Sequence, residues 1–197
     1  MGPTTPIDLP PSNHSKELVW NKNVFDTKAQ ILGHLRPLVG LRLSLARRAS
    51  SMRVFHFGVI RPYPPGTVGE FALHIQCPWR MESLEGMITG SEDLFRPMSM
   101  TDTKCPNFNW KSWSYDKDGC LQDELIEKRL QEHDLDTPSF KENESSLLVN
   151  EISADCCGGA TIRLSGGYSL VLFPSRTRGE HWRIFRPGDL SHFVVQD

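Results

Sequence analysis

The sequence predicts an α+β fold with a mainly antiparallel, curved β-sheet of about seven to nine strands and two helices packed on it. Three observations support this fold class. Several short segments alternate apolar and polar residues, which is the period of a half-buried strand. Glycines and prolines separate these segments, most clearly Gly166-Gly167, where both residues can adopt the positive φ of a tight hairpin turn. Two other segments repeat apolar residues at helical spacing.

The N-terminal half predicts a tail, one helix and four strands. Residues 1–15 hold four prolines among Ser, Thr and Asn, which is typical of a flexible tail. Apolar residues then recur at helical spacing, so we expect a short helix that is capped by Asp26 or Thr27 and ends before Pro37. Residues 58–69, which include three prolines, should form a loop. The strands are expected at residues 41–45, 52–57, 69–79 and 86–89.

The C-terminal half predicts a long irregular excursion, a helix and five strands. Residues 95–120 show no regular period but contain several aromatic residues, which favours an ordered excursion packed on the domain. Residues 121–132 place their apolar side chains on one helical face. We therefore expect one α+β domain over residues 16–197. Its last strands are expected at residues 147–154, 160–164, 168–173, 181–185 and 192–195.

Composition and charge exclude several classes of protein. The formal charge of −2, from 22 basic and 24 acidic residues, lacks the basic footprint of a nucleic-acid-binding domain. No apolar run approaches the roughly 20 residues that a membrane-spanning helix needs. The polar, proline-rich N-terminus does not look like a secretory signal, and the five irregularly spaced cysteines do not look like a secreted disulfide framework. We expect a cytoplasmic protein with no membrane partner, and the charge balance disfavours a nucleic-acid partner.

The predicted strand at residues 69–79 carries the first candidate site residues. Side chains alternate faces along a strand, so the apolar positions from Phe71 onward face the core and His74 and Gln76 face outward. Arg80 joins them if the pleat continues through Pro78. An imidazole beside an amide and a guanidinium could orient a polar or anionic ligand. The alternative is that these residues only contact cross-strand neighbours in solvent.

Two further groups extend the candidate binding site. Ser91 and Asp93 follow soon after the same strand, in a segment that reads as a turn. Glu180, Trp182 and Arg183 lie on a later strand and would join the face if that strand lies alongside. Tryptophan and arginine are enriched at the hot spots of protein interfaces. Core packing and simple charge neutralisation are the alternatives for these residues.

The cysteine and histidine spacings do not predict a metal site. His74 and Cys77 are three residues apart on a predicted strand, so their side chains should point to opposite faces. Cys156 and Cys157 are adjacent and should also diverge. Structural zinc needs four converging ligands, which no motif in the chain supplies. We therefore predict no metal and no cofactor.

Four segments that contain the candidate site residues resemble segments of a known group of proteins. The segments are Leu73-His74-Ile75-Gln76-Cys77-Pro78-Trp79-Arg80, Gly90-Ser91-x-Asp93, Gly166-Gly167-Tyr168-x-Leu170 and Glu180-x-Trp182-Arg183. Their order resembles that of an uncharacterised family of small bacterial proteins, over about residues 35–195 of the chain. The layout is also loosely similar to immunity-type proteins of bacterial toxin systems. The resemblance implies an α+β fold and transfers no catalytic residue.

These observations favour a non-enzymatic binding protein that uses the polar face at the end of the strand at residues 69–79, and the resemblance implies a bacterial, immunity-like one. A protein partner fits this interpretation, and the sequence leaves its identity and the oligomeric state open. One alternative is a small hydrolase in which His74 or His181 is the general base and Asp93 or Glu180 orients it. The other is an RNA-binding module; its basic residues would be Arg42, Arg47, Arg48 and Arg53.

Overall fold

The computed structural model describes residues 23–98, 109–132 and 147–196. Its helices are α1 (Asn23–Leu35), α2 (Tyr115–Asp118) and α3 (Leu121–Glu132). Single 3-10 turns lie at Arg36–Leu38, Ser91–Phe95 and Ser165–Gly167. Within the described ranges, no helix combines the length and apolarity needed to cross a membrane. The tail expected at residues 1–15 lies outside these ranges, as do residues 99–108 of the expected excursion.

The described residues form twelve strands, and all the paired strands are antiparallel, which confirms the predicted fold class. The strands are β1 (Leu43–Ala49), β2 (Met52–Phe57), β3 (Arg61–Tyr63), β4 (Gly66–Val68), β5 (Phe71–Ile75), β6 (Trp79–Ser83), β7 (Gly86–Gly90), β8 (Val149–Ala154), β9 (Ala160–Leu164), β10 (Ser169–Leu172), β11 (Glu180–Phe185) and β12 (His192–Gln196).

The strands form two five-stranded sheets and one small hairpin. The first sheet, called sheet A, has the order β1-β2-β5-β11-β12, and the second, sheet B, has the order β7-β6-β10-β9-β8. The buried side chains of both sheets belong to one hydrophobic core. The edge of the Phe55 ring from sheet A meets the Trp79 ring from sheet B, with the ring centroids 5.4 Å apart. The two sheets therefore stabilise each other through shared burial of apolar surface.

The edges of the two sheets meet at one corner. The Gly40 amide donates to the Val149 carbonyl at 2.8 Å, and the Val149 amide donates to the Leu41 carbonyl at 2.9 Å. A further bridge joins Arg42 to Leu148. Here the beginning of β1 and the beginning of β8 satisfy each other's backbone groups, so both edge strands are partly protected.

The strand expected at residues 69–79 is divided between the two sheets. β5 ends at Ile75, and β6 begins at Trp79 in sheet B. The amides of Gln76 and Cys77 both donate to the His181 carbonyl, at 2.8 and 2.9 Å. Pro78 follows and has no amide hydrogen for a ladder bond, so the pleat ends and the chain changes sheet.

Two other local expectations differ from the structure, and one agrees closely. The expected loop at residues 58–69 contains the β3–β4 hairpin, which together with β6 brings the strand number above the expected range. Helix α1 begins at Asn23, so Asp26 and Thr27 lie inside the helix and do not cap it. Helix α3 has the bounds that the sequence predicts.

Candidate functional site

A group of polar and aromatic side chains lies on the outer face of sheet A, on β5, β11 and β12. We call it the β5–β12 face. Arg183 pairs with His74 across β11 and β5, and Phe185 pairs with His192 across β11 and β12. Residues two apart on a strand share a face, which places Arg183 and Phe185 together. The face consists of His74, Gln76, Glu180, Arg183, Phe185 and His192.

A β-bulge brings Glu180 onto this face. Glu180 and Arg183 are three positions apart in the sequence, and in a regular strand their side chains would point to opposite sides. The pairing of β11 with β12 shifts register between Glu180 and Trp182, which turns the Glu180 side chain towards Arg183. The irregularity at the beginning of β11 is therefore what assembles the ion pair.

Glu180 and Arg183 form a bidentate ion pair. Arg183 Nε donates to Glu180 Oε1 at 2.6 Å, and Arg183 Nη2 donates to Glu180 Oε2. Hydrogen bonds from Arg183, together with one from Gln76, hold the pKa of Glu180 below its usual value. The same pair raises the pKa of Arg183. Paired forks of this kind have fixed geometry, so the two side chains present a defined surface.

Phe185 lies between two histidine rings. Its ring meets the edge of His74 at a centroid distance of 4.8 Å and stacks on His192 at 4.1 Å. Arg183 Nη1 lies 3.4 Å from His192 Nδ1. Burial, and then the charge of Arg183, lower the pKa of His74, so this imidazole is neutral near pH 7. The face thus combines a rigid ion pair with an aromatic strip, and a partner could contact both by stacking and hydrogen bonding.

The structure brings four of the eight predicted site residues together on this face: His74, Gln76, Glu180 and Arg183. Phe185 and His192 were not predicted as members. The sequence feature that could have predicted these two members is the turn Pro187-Gly188-Asp189. This turn joins the residues on either side of it in one hairpin and sets Phe185 opposite His192. The register of that hairpin is a tertiary detail that alternation alone does not give.

Arg80 lies on the other sheet because the pleat does not continue through Pro78. Its Nε donates to Glu82 Oε1 at 2.7 Å, and its guanidinium lies 5.3 Å from the centre of the Phe173 ring. These are contacts of β6 and of the loop after β10. Arg80 therefore does not share a face with His74.

Ser91 and Asp93 hold the turn at Ser91–Phe95. Asp93 Oδ2 accepts hydrogen bonds from Thr89 Oγ1 at 2.8 Å and from the Gly90 amide at 3.3 Å. Ser91 Oγ bonds the Trp79 backbone, accepting from the amide at 3.3 Å. An acidic residue that caps a turn and a hydroxyl that bonds a strand are common structural uses of these residue types.

Trp182 is a core residue. Its side chain is fully buried, and its indole Nε1 donates to the Gly158 carbonyl at 2.8 Å. Its neighbours Glu180 and Arg183 reach the outer face, and Trp182 packs between the sheets. Its hydrogen bond to the turn between β8 and β9 satisfies a buried donor.

A cleft of about 1110 Å³ lies between β1 and α3. Basic residues line part of it, but Arg48 donates to Asp123 at 3.1 Å and Arg53 donates to Asp123 at 2.6 Å. Burial alone would raise the pKa of Asp123, yet hydrogen bonds from Arg53 and Cys120 keep it below its usual value. No histidine is among the described residues that line the cleft.

No family model, curated protein or solved structure matches the chain. The β5–β12 face is therefore interpreted from its own contacts. Among residues 23–98, 109–132 and 147–196, no group of three or more His, Cys, Asp or Glu side chains is arranged to hold a metal ion.

Proposed function

We propose that the chain is a non-enzymatic binding protein that contacts a protein partner through the β5–β12 face. The observation that carries the proposal is the Glu180–Arg183 fork beside the aromatic strip of Phe185. Arginine and large aromatic residues dominate the binding energy of protein interfaces when their neighbours hold them in place. Here both residue types sit on one sheet face with their conformations already fixed.

The charge of the face favours an acidic patch on the partner. Arg183 is about one-third exposed, and Glu180, its counter-ion, is less exposed. Arg176 donates to the Glu180 carbonyl and adds a second guanidinium at the same edge. An exposed carboxylate on the partner could therefore approach Arg183 from the side that Glu180 does not occupy.

The contacts of the candidate acid and base residues support binding over hydrolysis. The hydrolase alternative specifies Asp93 or Glu180 as the group that orients the histidine base. Asp93 accepts from Thr89 and Gly90, and Glu180 accepts from Arg183. The RNA-binding alternative is weakened in a similar way, because Arg53 forms an ion pair with Asp123, and Arg48 forms ion pairs with both Asp116 and Asp123.

The resemblance to immunity-type proteins supplies a more specific form of the proposal. In that form the partner is a toxin, and the chain acts in the bacterial cytoplasm by covering the toxin's surface. An exposed ion pair and aromatic strip on one sheet face suit such a role. If the partner is not a toxin, the proposal of a binding protein stands and its immunity-like form is wrong.

The experiment uses the full chain with a photoreactive phenylalanine analogue at position 192, in the β5–β12 face. A matched protein carries the analogue at position 151, an exposed site on sheet B. We expect a partner to cross-link in the native cell only from position 192. Equal cross-linking from both positions, or none from position 192, would contradict the proposal.

Affinity for the purified partner then tests the ion pair. Arg183→Ala should weaken binding about tenfold or more, as expected for an interface hot spot. Arg163→Ala is the matched control, because Arg163 forms an exposed pair with Glu151 on sheet B. Unchanged affinity of Arg183→Ala would sink the proposal, even if a partner had been captured.

A further inference from the structure

The turn between β8 and β9 carries two adjacent exposed cysteines, Cys156 and Cys157. Asp155 Oδ1 accepts hydrogen bonds from the Cys157 amide at 2.7 Å and from the Gly159 amide at 2.8 Å. The Asp155 amide in turn donates to the Gly159 carbonyl at 3.0 Å. Three hydrogen bonds therefore fix the backbone on both sides of the cysteine pair.

The expectation that the two thiols diverge has lost its basis. It assumed the alternation of a strand, and these residues lie in a turn, where successive side chains need not alternate. The neighbouring Cys156 thiol, together with the charge of Asp155, raises the pKa of Cys157. Both thiols are exposed and belong to adjacent residues of one turn, so a small dissolved disulfide can reach either of them.

The other described cysteines have a different environment. Cys77 and Cys120 are buried. Burial raises the pKa of Cys77 to about 11, and Cys120 Sγ donates to Asp123 Oδ2 at 3.2 Å. Thiols that are buried and protonated react slowly with dissolved disulfides. Cys77 and Cys120 therefore serve as internal references for the exposed pair.

We propose that Cys156 and Cys157 form a thiol–disulfide exchange site that a low-molecular-weight disulfide of the glutathione class oxidises reversibly. The thiolate of one cysteine attacks a sulfur of the small disulfide, which forms a mixed disulfide and releases one small thiolate. The neighbouring cysteine then loses its proton and attacks the protein sulfur of that mixed disulfide. The second small thiolate leaves, and the two protons released by the protein convert both small thiolates to thiols.

Adjacency makes the bond labile and so makes the site reversible. Consecutive Cα atoms lie about 3.8 Å apart, which is below the usual disulfide range of about 4.4–6.8 Å. A bridge between neighbours is therefore strained, and strained, exposed bridges are the easily reduced ones. We therefore expect this bond to form and break repeatedly and not to stabilise the fold.

The core contains a reporter for this turn. Gly158 follows the cysteine pair, and a Cβ at this position would lie 2.8 Å from Val195 Cγ1, so the backbone packs tightly on the core. Its carbonyl accepts the hydrogen bond from Trp182 Nε1. A change in the turn should therefore alter the fluorescence of Trp182.

The experiment exposes the reduced, full-length chain to oxidised glutathione and follows the peptide that contains both cysteines by mass spectrometry. A Cys105→Ser background removes the cysteine outside the described residues. We expect the peptide to lose the mass of two hydrogens, to regain it in reduced glutathione, and to show a matching change in tryptophan fluorescence. Cys77 and Cys120 should remain unmodified.

The single variants Cys156→Ser and Cys157→Ser are the matched controls. Each keeps one exposed thiol and lacks its partner, so each should accumulate a stable glutathione adduct. Three results would overturn the proposal: a stable adduct on the unsubstituted pair, disulfide-linked dimers in place of the internal bond, or an exposed pair that reacts no faster than Cys77.

Discussion

Arg53 is a charged residue inside the fold, with only 2% of its surface exposed. Its Nη2 donates to Asp123 Oδ1 at 2.6 Å, its Nε donates to Gln122 Oε1 at 2.9 Å, and its guanidinium lies 6.0 Å from the centre of the Trp79 ring. Burial lowers the pKa of Arg53 in spite of Asp123. A buried guanidinium is tolerated only when its donors are satisfied, so α3 depends on this network for its place beside β1 and β2.

Removing the negative partner should therefore destabilise the protein strongly. For Asp123→Asn we expect a loss of roughly 3 kcal/mol in the free energy of unfolding, because the change leaves a buried charge without its counter-ion. The measurement is urea denaturation of the full chain at neutral pH.

Glu151→Gln is the matched control, since it breaks an exposed pair with Arg163 whose atoms are 3.6 Å apart. We expect this change to alter stability by less than about 1 kcal/mol. Equal effects of the two substitutions would show that the Arg53 network does not hold α3.

At the scale of the element, two glycines have opposite structural roles. Gly33 lies within α1, and a Cβ at this position would meet nothing within 4 Å. Gly69 precedes β5, and a Cβ there would lie 2.6 Å from the Phe57 carbonyl oxygen and 3.1 Å from His56 Cβ. Helix α1 has room for a side chain at position 33, whereas the close packing of the chain against β2 leaves no room for one at position 69.

Alanine substitutions should separate these two roles. Gly33→Ala should stabilise the protein by about 0.5–1 kcal/mol, because alanine loses less backbone entropy in a helix. Gly69→Ala should destabilise it by about 1–3 kcal/mol, since backbone atoms must move to admit the methyl group. Thermal unfolding measures both, and a shift of the same sign for the two variants would refute the interpretation.

At the scale of the whole molecule, the two sheets share one core and should unfold together. Trp79 is buried on sheet B and Trp182 is buried on sheet A, so each sheet carries its own fluorescent reporter. Small domains with a single core usually unfold in one cooperative transition.

We expect Trp79→Phe and Trp182→Phe variants to unfold with coincident fluorescence and circular dichroism curves in urea. Both variants also carry phenylalanine at positions 20, 110 and 113, so each removes the reporter of one sheet and keeps only that of the other. Separate midpoints for the two probes would mean that the sheets unfold independently in spite of their common core.

The sequence predicts those parts of the fold that local patterns determine. Helix α3 has its expected bounds because helical spacing covers the whole segment, and Gly166 and Gly167 both adopt positive φ, as their turn requires. The change of sheet at Pro78 depends on which strands receive the Gln76 and Cys77 amides, which is tertiary information. Local alternation therefore predicts His74 and Gln76 on the candidate face but cannot separate Arg80 from them.

In the candidate site, too, some side-chain contacts depend on tertiary structure and cannot be predicted from local sequence patterns. Glu180 reaches Arg183 only because β11 has a bulge, and a bulge of this kind has no clear signature in the chain. Arg53 faces the core, although a charged side chain at this position would normally be predicted to face solvent. Its burial becomes understandable only when Gln122 and Asp123 are known to face it.

The crossing at residues 76–78 also has a consequence for how the chain assembles during synthesis. Sheet B is built from one continuous stretch, β6 to β10, whereas sheet A needs β1, β2 and β5 from before that stretch and β11 and β12 from after it. Until β11 has left the ribosome, one edge of β5 has no partner strand. The pairing of Leu73 with Ile184 cannot form before then. Pairings between distant residues form slowly and leave strand edges exposed in the meantime. We therefore expect β5, the strand that later supports the β5–β12 face, to be open to aggregation or chaperone binding until β11 is made.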